Sequence, residues 1–207
     1  MGNSKINRRM VLKSVLFAGC GLLIPGSAKA GNIHSLKGSV FINKERAHPG
    51  SIIQPGDLVT TSHNGRITFS VDGDAFLLKP FTSLKVESSS NVFIDSLRLL
   101  TGQLLSVFKT GRSREIVTAT ATIGIRGTGC FLNVKPKTTY YCNCYGKTDL
   151  RAPGINESFE AVHHSAHVLD TKGSKVMGMR ATEVIDHTDD ELRELEALVG
   201  RVPKFDQ

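Results

Sequence analysis

Three cysteine and three histidine residues in the second half of the chain carry the side chains best suited to binding a metal. They are Cys130, Cys142, Cys144, His163, His164 and His167. Thiolate and imidazole ligands together suit zinc, iron or copper. The Cys-x-Cys spacing matches no standard zinc finger, and the sequence contains no Cys-x-x-Cys-His that would attach a c-type haem. We therefore expect a transition-metal site of unusual spacing among these six residues.

A β-hairpin is predicted to bring the thiols together. If residues 135–137 form a three-residue loop, Cys130 lies opposite Cys142 on the neighbouring strand. Cys142 and Cys144 share a face because side chains alternate along a strand. This register predicts that all three thiols lie on one face of one hairpin.

The histidines follow in a segment that is expected to be extended and to join the same sheet. His163 and His167 are four residues apart, which places them on one side of either a strand or a helix. His187, just before a predicted helix, is a further imidazole that either reaches the same site or is solvated. Two alternatives to the metal site remain open: a disulfide from Cys130 to Cys142 or Cys144, and plain buried thiols with surface histidines.

Catalysis has little support in the sequence. No Ser-His-Asp order, paired carboxylates or phosphate-binding loop stands out. An enzyme that uses a metal-bound water needs an open coordination position and a base, and Glu160 is the one candidate for that base. We expect a binding module or a structural envelope protein rather than an enzyme.

The elements that must position these residues are short β-strands. Turn signals recur about every ten residues between Leu36 and Thr118, which predicts a sandwich, barrel or solenoid. Leu97 to Leu99 and Gln103 to Phe108 are predicted as separate strands, and Phe69 lies on an alternating strand and is expected in the core. The only predicted helix is Asp189 to Val199.

A glycine-punctuated stretch carries a resemblance to a known family. Ala121-Thr122-Ile123-Gly124-Ile125-Arg126-Gly127-Thr128 resembles the signature of the FecR domain, and segments 55–61 and 71–74 resemble its earlier landmarks. The resemblance covers Leu36 to Arg151. It implies an all-β, FecR-like sandwich or solenoid and envelope signalling linked to iron uptake. The separately predicted C-terminal α-helix is added to this fold. From the glycines we also expect a sharply bent strand over Thr122 to Gly129, with Arg126 held over carbonyls at the bend.

The N-terminal residues resemble an export signal. Arg8-Arg9 is followed by an apolar pair and a lysine, the pattern of twin-arginine export, and Ala28-Lys29-Ala30 is a small-x-small cleavage site. The uncharged stretch 14–28 is too short for a membrane span. A lipoprotein-type cleavage before Cys20 is the less favoured alternative. We expect a periplasmic protein in which the domain directly follows the signal. FecR-type regulators that control a sigma factor have a cytoplasmic segment and a transmembrane helix before the domain, so we expect this chain to share their extracytoplasmic domain but not their anti-sigma role.

Charge excludes a nucleic-acid partner. The first thirty residues hold five basic and no acidic residues, so the remainder has 21 basic and 19 acidic residues, a net charge of about +2. No basic patch that would track phosphates remains. We expect three regions: a signal peptide over 1–30, a FecR-like β domain over 31–151, and an extension over 152–207. The expected partner is an envelope protein, and the mature chain is expected to have no transmembrane span.

Overall fold

The computed structural model describes residues 31–87 and 95–207. The predicted export signal and Cys20 therefore lie outside the described residues. Within the described ranges, no helix is long and apolar enough to cross a membrane.

The described residues form fifteen strands and one α-helix, followed by a short 3-10 turn at Lys204–Asp206. The elements are β1 (Ile33–Lys37), β2 (Val40–Ile42), β3 (Glu45–Arg46), β4 (Leu58–Thr61), β5 (Arg66–Val71), β6 (Asp74–Leu78), β7 (Ser83–Glu87), β8 (Ser96–Val107), β9 (Arg114–Val117), β10 (Thr122–Ile125), β11 (Gly129–Lys135), β12 (Thr138–Ala152), β13 (Ile155–Ala161), β14 (Ser165–Lys172), β15 (Lys175–Ala181) and α1 (Asp189–Leu198). The predicted all-β class with a C-terminal helix is confirmed.

The strands pair into two sheets that are joined by two long strands. The first sheet runs β1-β5-β6-β8-β11-β12-β14-β15, and the second runs β3-β2-β4-β7-β8-β9-β10-β12-β13. Strands β8 and β12 pass from one sheet into the other. Among the described strands, β8 and β9 pair in parallel and the other pairs are antiparallel. The predicted division at residue 151 falls inside β12, and β13 to β15 continue its ladders.

The inner faces of the two sheets enclose the larger apolar core. Phe69 on β5 is fully buried, and its ring centroid lies 5.1 Å from that of Phe76 on β6. Leu84 and Val86 on β7 enter the same core from the second sheet. Alternate residues of each strand point inward because side chains alternate along β-structure. The prediction that Phe69 lies in the core is confirmed.

The outer face of the first sheet carries a second, smaller core. Leu77, Leu105 and Phe131 are buried there, and Leu192 and Leu195 of α1 cover them. The helix therefore hides an apolar face that an uncovered sheet would expose to water.

Two local predictions were wrong. Ser96–Val107 is one continuous strand, β8, rather than two, because the chain bends from the second sheet into the first at Gly102, whose φ is +89°. The chain also breaks between β10 and β11, where Gly127 has a φ of +72°. Arg126 contacts Asp149 rather than carbonyls, with its Nε and Nη2 3.0 and 2.9 Å from Oδ2.

A capping box starts α1, as its sequence predicts. The backbone N–H of Glu191 donates to the Thr188 hydroxyl, and the Glu191 carboxylate accepts from the Thr188 backbone N–H, both at 3.2 Å. Gly200, with a φ of +71°, follows the C-terminal end. The cap therefore fixes where the helix begins relative to His187, the residue just before it.

Replacing Thr188 with Ala is expected to destabilise the protein by about 1 kcal/mol, since the cap loses its acceptor while the packing of α1 is kept. Urea unfolding followed by circular dichroism measures the change. The Thr188→Ser control keeps the hydroxyl and should stay close to the parent protein. Equal stability of the Ala and parent proteins would show that the cap contributes nothing.

Candidate metal centre

The hairpin of β11 and β12 turns over residues 136 and 137, one residue fewer than predicted. Lys135 pairs with Thr138, so Cys130 lies opposite Asn143 instead of Cys142. The predicted register was wrong by one residue. Such a shift moves a side chain to the other face of the sheet.

Cys130 consequently points into the inner core, away from the other two thiols. Its Sγ lies 3.3 Å from the Ser106 hydroxyl, and burial raises the pKa of this thiol to about 12. The expectation that all three thiols share one face was wrong. Cys130, Cys142 and Cys144 are free thiols in the described chain, and Cys130 is on the wrong face to pair with the others.

Cys142 and Cys144 both point to the outer face, beneath the C-terminal part of the chain. Each is fully buried. A hydrogen bond from the Cys144 thiol, joined by contacts from two imidazoles, lowers the pKa of Cys142 to about 4 in spite of the opposing effect of burial. Burial raises the pKa of Cys144. The pair thus holds one thiolate readily, and a bound cation would stabilise the second.

His164 reaches the thiols from the bend that precedes β14. Its backbone adopts a φ of +51°, and its N–H donates to the Cys144 carbonyl at 2.8 Å. This places Nδ1 3.5 Å from the Cys142 Sγ and Nε2 2.8 Å from Oδ1 of Asp189. The contact with Cys142 is the main cause that raises the pKa of His164.

His187 completes the group from the other side. Its Nε2 lies 3.4 Å from the Cys144 Sγ, and its Nδ1 lies 2.8 Å from the carbonyl oxygen of Ile185. The ring stacks on Phe131 with centroids 4.6 Å apart and an interplanar angle of 17°. His187 is 7% exposed, so it is a buried member of the site rather than a solvated side chain.

The four side chains lie close enough together to surround a single ion. The sulfur and nitrogen atoms of Cys142, Cys144, His164 and His187 all lie within 4.8 Å of one another. Metal–sulfur and metal–nitrogen distances typical of zinc place adjacent sulfur and nitrogen ligands about 3.6 Å apart in a tetrahedron. The two observed sulfur–nitrogen distances, 3.5 and 3.4 Å, fit this value.

The outer nitrogens of both imidazoles are held as metal-binding histidines require. A metal-bound histidine usually donates its second N–H to a carboxylate or a backbone carbonyl, which fixes the tautomer and the ring orientation. Asp189 supplies the carboxylate for His164, and Ile185 supplies the carbonyl for His187. The free nitrogen of each ring then faces a thiol.

The remaining predicted histidines lie elsewhere. The side chain of His163 is 47% exposed, and its Nε2 lies 3.0 Å from both carboxylate oxygens of Asp189, beside the core of the site. His167 pairs with Tyr141 and packs on Phe159 at 4.5 Å, and its Nδ1 has no hydrogen-bond partner among the described residues. The expectation that His163 and His167 share a side was wrong, because the bend before β14 interrupts the strand.

The carboxylate that could serve as a base lies outside this group. Glu160 on β13 forms a 3.0 Å ion pair with Lys147, and both side chains are more than half exposed. The carboxylate that does reach the site is Asp189, which sequence reasoning missed. The signal was present, since Asp189 is the first residue after a capping threonine and lies two positions beyond His187.

The sandwich defines a fold class that is shared with crystal structures of candidate anti-sigma factors. Two such structures, both from Parabacteroides distasonis ATCC 8503, are similar to this chain. One has a TM-score of 0.51 at 10% identity, and the other a TM-score of 0.50 at 12% identity. Each match covers 61% of this chain and 60% of the other chain. At this identity the likeness concerns the fold alone.

Comparisons of the sequence with family models and with curated proteins identify no relative. No family model matches the chain, and the search of curated proteins found no match.

Proposed function

We propose that this chain is an exported, FecR-like binding and sensing module of the cell envelope that holds one transition-metal ion. The ligands are Cys142, Cys144, His164 and His187, and zinc fits them best. The observation that carries the proposal is the convergence of two thiols and two correctly oriented imidazoles in one buried cluster. Two sulfur and two nitrogen ligands in a tetrahedron are typical of zinc. Iron and copper are the alternatives that the ligand types allow.

Burial of the cluster favours a structural or sensing role over catalysis. Four protein ligands occupy all coordination positions of a tetrahedral ion, whereas a catalytic zinc keeps one position open for water. Both cysteines are fully buried, and the side chain of His164 is 12% exposed. The bound ion would neutralise buried thiolates and tie together parts of the chain that are distant in sequence.

Two observations, the fold and the FecR-like sequence signature, support a role in the envelope. The structural neighbours are described as candidate anti-sigma factors, a class that acts through protein partners, and the segment from Ala121 to Thr128 resembles the FecR signature. We therefore propose a protein partner in the envelope. The predicted twin-arginine signal agrees with this location because that route carries folded proteins, including proteins already loaded with a cofactor.

Export through the twin-arginine route has a direct test. Replacing Arg8 and Arg9 with Lys is expected to leave the precursor in the cytoplasm, because recognition needs the paired arginines. Cell fractionation and immunoblotting of precursor and mature forms measure the result. Normal export of the double variant would indicate the general secretory route instead.

The metal proposal is tested on the full chain purified from its native export route. Elemental analysis by mass spectrometry is expected to find about one zinc ion per chain. Cobalt substitution should give the visible absorption of a tetrahedral ion with thiolate ligands. Metal-free protein would instead support a structural envelope protein.

A further inference from the structure

We propose that the metal acts as a clamp that docks the C-terminal segment, residues 182–207, onto the outer face of the first sheet. This inference rests on the proposed metal site and adds a regulatory role to it. The ligands are divided unequally between two parts of the chain. Cys142, Cys144 and His164 belong to the β-sandwich, whereas His187 belongs to the C-terminal segment.

The segment makes a second link to the same ion. Asp189, the first residue of α1, accepts a hydrogen bond from Nε2 of His164, the ligand on the sandwich side. Undocking the segment would therefore remove one ligand and also the carboxylate that orients another. An ion that loses both contacts binds more weakly, since second-shell partners and ligands both contribute to affinity.

Without the ion, the segment is held mainly by polar contacts. Asn133 donates to the Asp186 carboxylate at 2.9 Å, the Tyr145 hydroxyl donates to Glu196, and Arg201 donates to the Gly73 carbonyl at 2.6 Å. Leu192 and Leu195 are the buried leucines of α1. Glu191 pairs with Arg66 at 2.8 Å and with Lys79 at 2.9 Å. Phe205 packs on Tyr145 at 5.7 Å between ring centroids. These contacts position the segment, but they bury few large apolar side chains for its length.

The C-terminal segment covers an apolar face of the first sheet, and the clamp would control whether that face is exposed. Beneath α1 lie Leu77, Leu105 and Phe131, together with both metal-binding thiols. Undocking exposes this apolar face and the thiols at the same time. Metal occupancy would thus decide whether the outer face is covered, and the sandwich behind it keeps its own separate core.

Linkage requires that the effect run in both directions. If metal stabilises the docked segment, then docking strengthens metal binding by the same factor. Leu195→Ala removes a buried contact of α1 without touching any ligand, so it is expected to weaken zinc binding in a competition titration. Unchanged zinc affinity in this variant would contradict the clamp.

Hydrogen–deuterium exchange of the full chain with and without zinc tests the clamp directly. Amides of α1 are expected to exchange about tenfold faster without zinc, within the range usual for coupled sites. Amides of β5 and β6 in the inner core are expected to change much less. His187→Gln should make α1 of the zinc-bound protein exchange as it does in metal-free protein, whereas the His167→Gln control should behave like the parent.

The outcomes separate the two proposals. If one zinc ion binds but exchange in α1 is unchanged, the clamp is wrong and the metal site stands. If β5 and β6 lose protection as much as α1 does, the ion stabilises the whole domain and the clamp is also wrong. If elemental analysis and titration find no bound metal, the proposed site fails, and the clamp fails with it.

Discussion

The double variant Cys142→Ser, Cys144→Ser is expected to lose its metal completely, from about one ion per chain to about zero. Serine hydroxyls are poor zinc ligands, and the two imidazoles alone cannot hold the ion. Structural zinc contributes an apparent binding free energy of about 10–16 kcal/mol in zinc-finger peptides, so the loss should be clear in elemental analysis. The inner core lies on the opposite face of the sheet, where Tyr141 of the same strand contributes to it, and is expected to keep the sandwich folded.

Cys130→Ser is the matched control for that experiment. It makes the same chemical change at a fully buried thiol, but on the opposite face of the hairpin. The new hydroxyl can hydrogen-bond with Ser106, which already lies 3.3 Å from the sulfur. This variant should keep the metal. If Cys130→Ser lost the ion while the double variant kept it, the assignment of ligands would be wrong.

Phe69→Ala is expected to destabilise the protein by about 3–5 kcal/mol, because a fully buried aromatic ring is replaced by a cavity. The ring packs against Phe76 and faces the opposite sheet, so rigid strands surround the space it would leave. Urea unfolding measures the change in the free energy of unfolding. A loss below about 1 kcal/mol would mean that the inner face of β5 collapses around the deletion.

Phe81→Ala is the control for the core variant. Phe81 is 67% exposed in the turn between β6 and β7. A substitution at such a surface position usually changes stability by less than about 0.5 kcal/mol. A large loss there would indicate a general sensitivity to losing aromatic rings rather than a role of the inner core.

The sequence predicts the fold class and the helix well because their signals are local. The capping box, formed by Thr188 and Glu191 within four adjacent residues, predicts where α1 begins. Turn signals likewise predict many short strands. The length of β8 was missed because Gly102, a residue type common in turns, lies inside the strand where it crosses between the sheets.

The site was predicted only in part because it depends on register and on distant contacts. The hairpin loop is one residue shorter than expected, and this single difference moves Cys130 from the face that carries Cys142 and Cys144 to the inner core. His164 owes its position to a left-handed backbone that the flanking residues do not reveal. Asp189 is brought to His164 by the docking of α1, a contact that no local pattern encodes.

The complete burial of Cys142 and Cys144 has a kinetic consequence. An ion enclosed in this way leaves only when the chain above it opens, so its residence time is set by the protein and not by the strength of a competing chelator. Removal by an excess of chelator should therefore reach a rate that no longer rises with chelator concentration. By the same reasoning, the ion is most easily acquired while the chain is still folding, before the C-terminal segment covers the thiols.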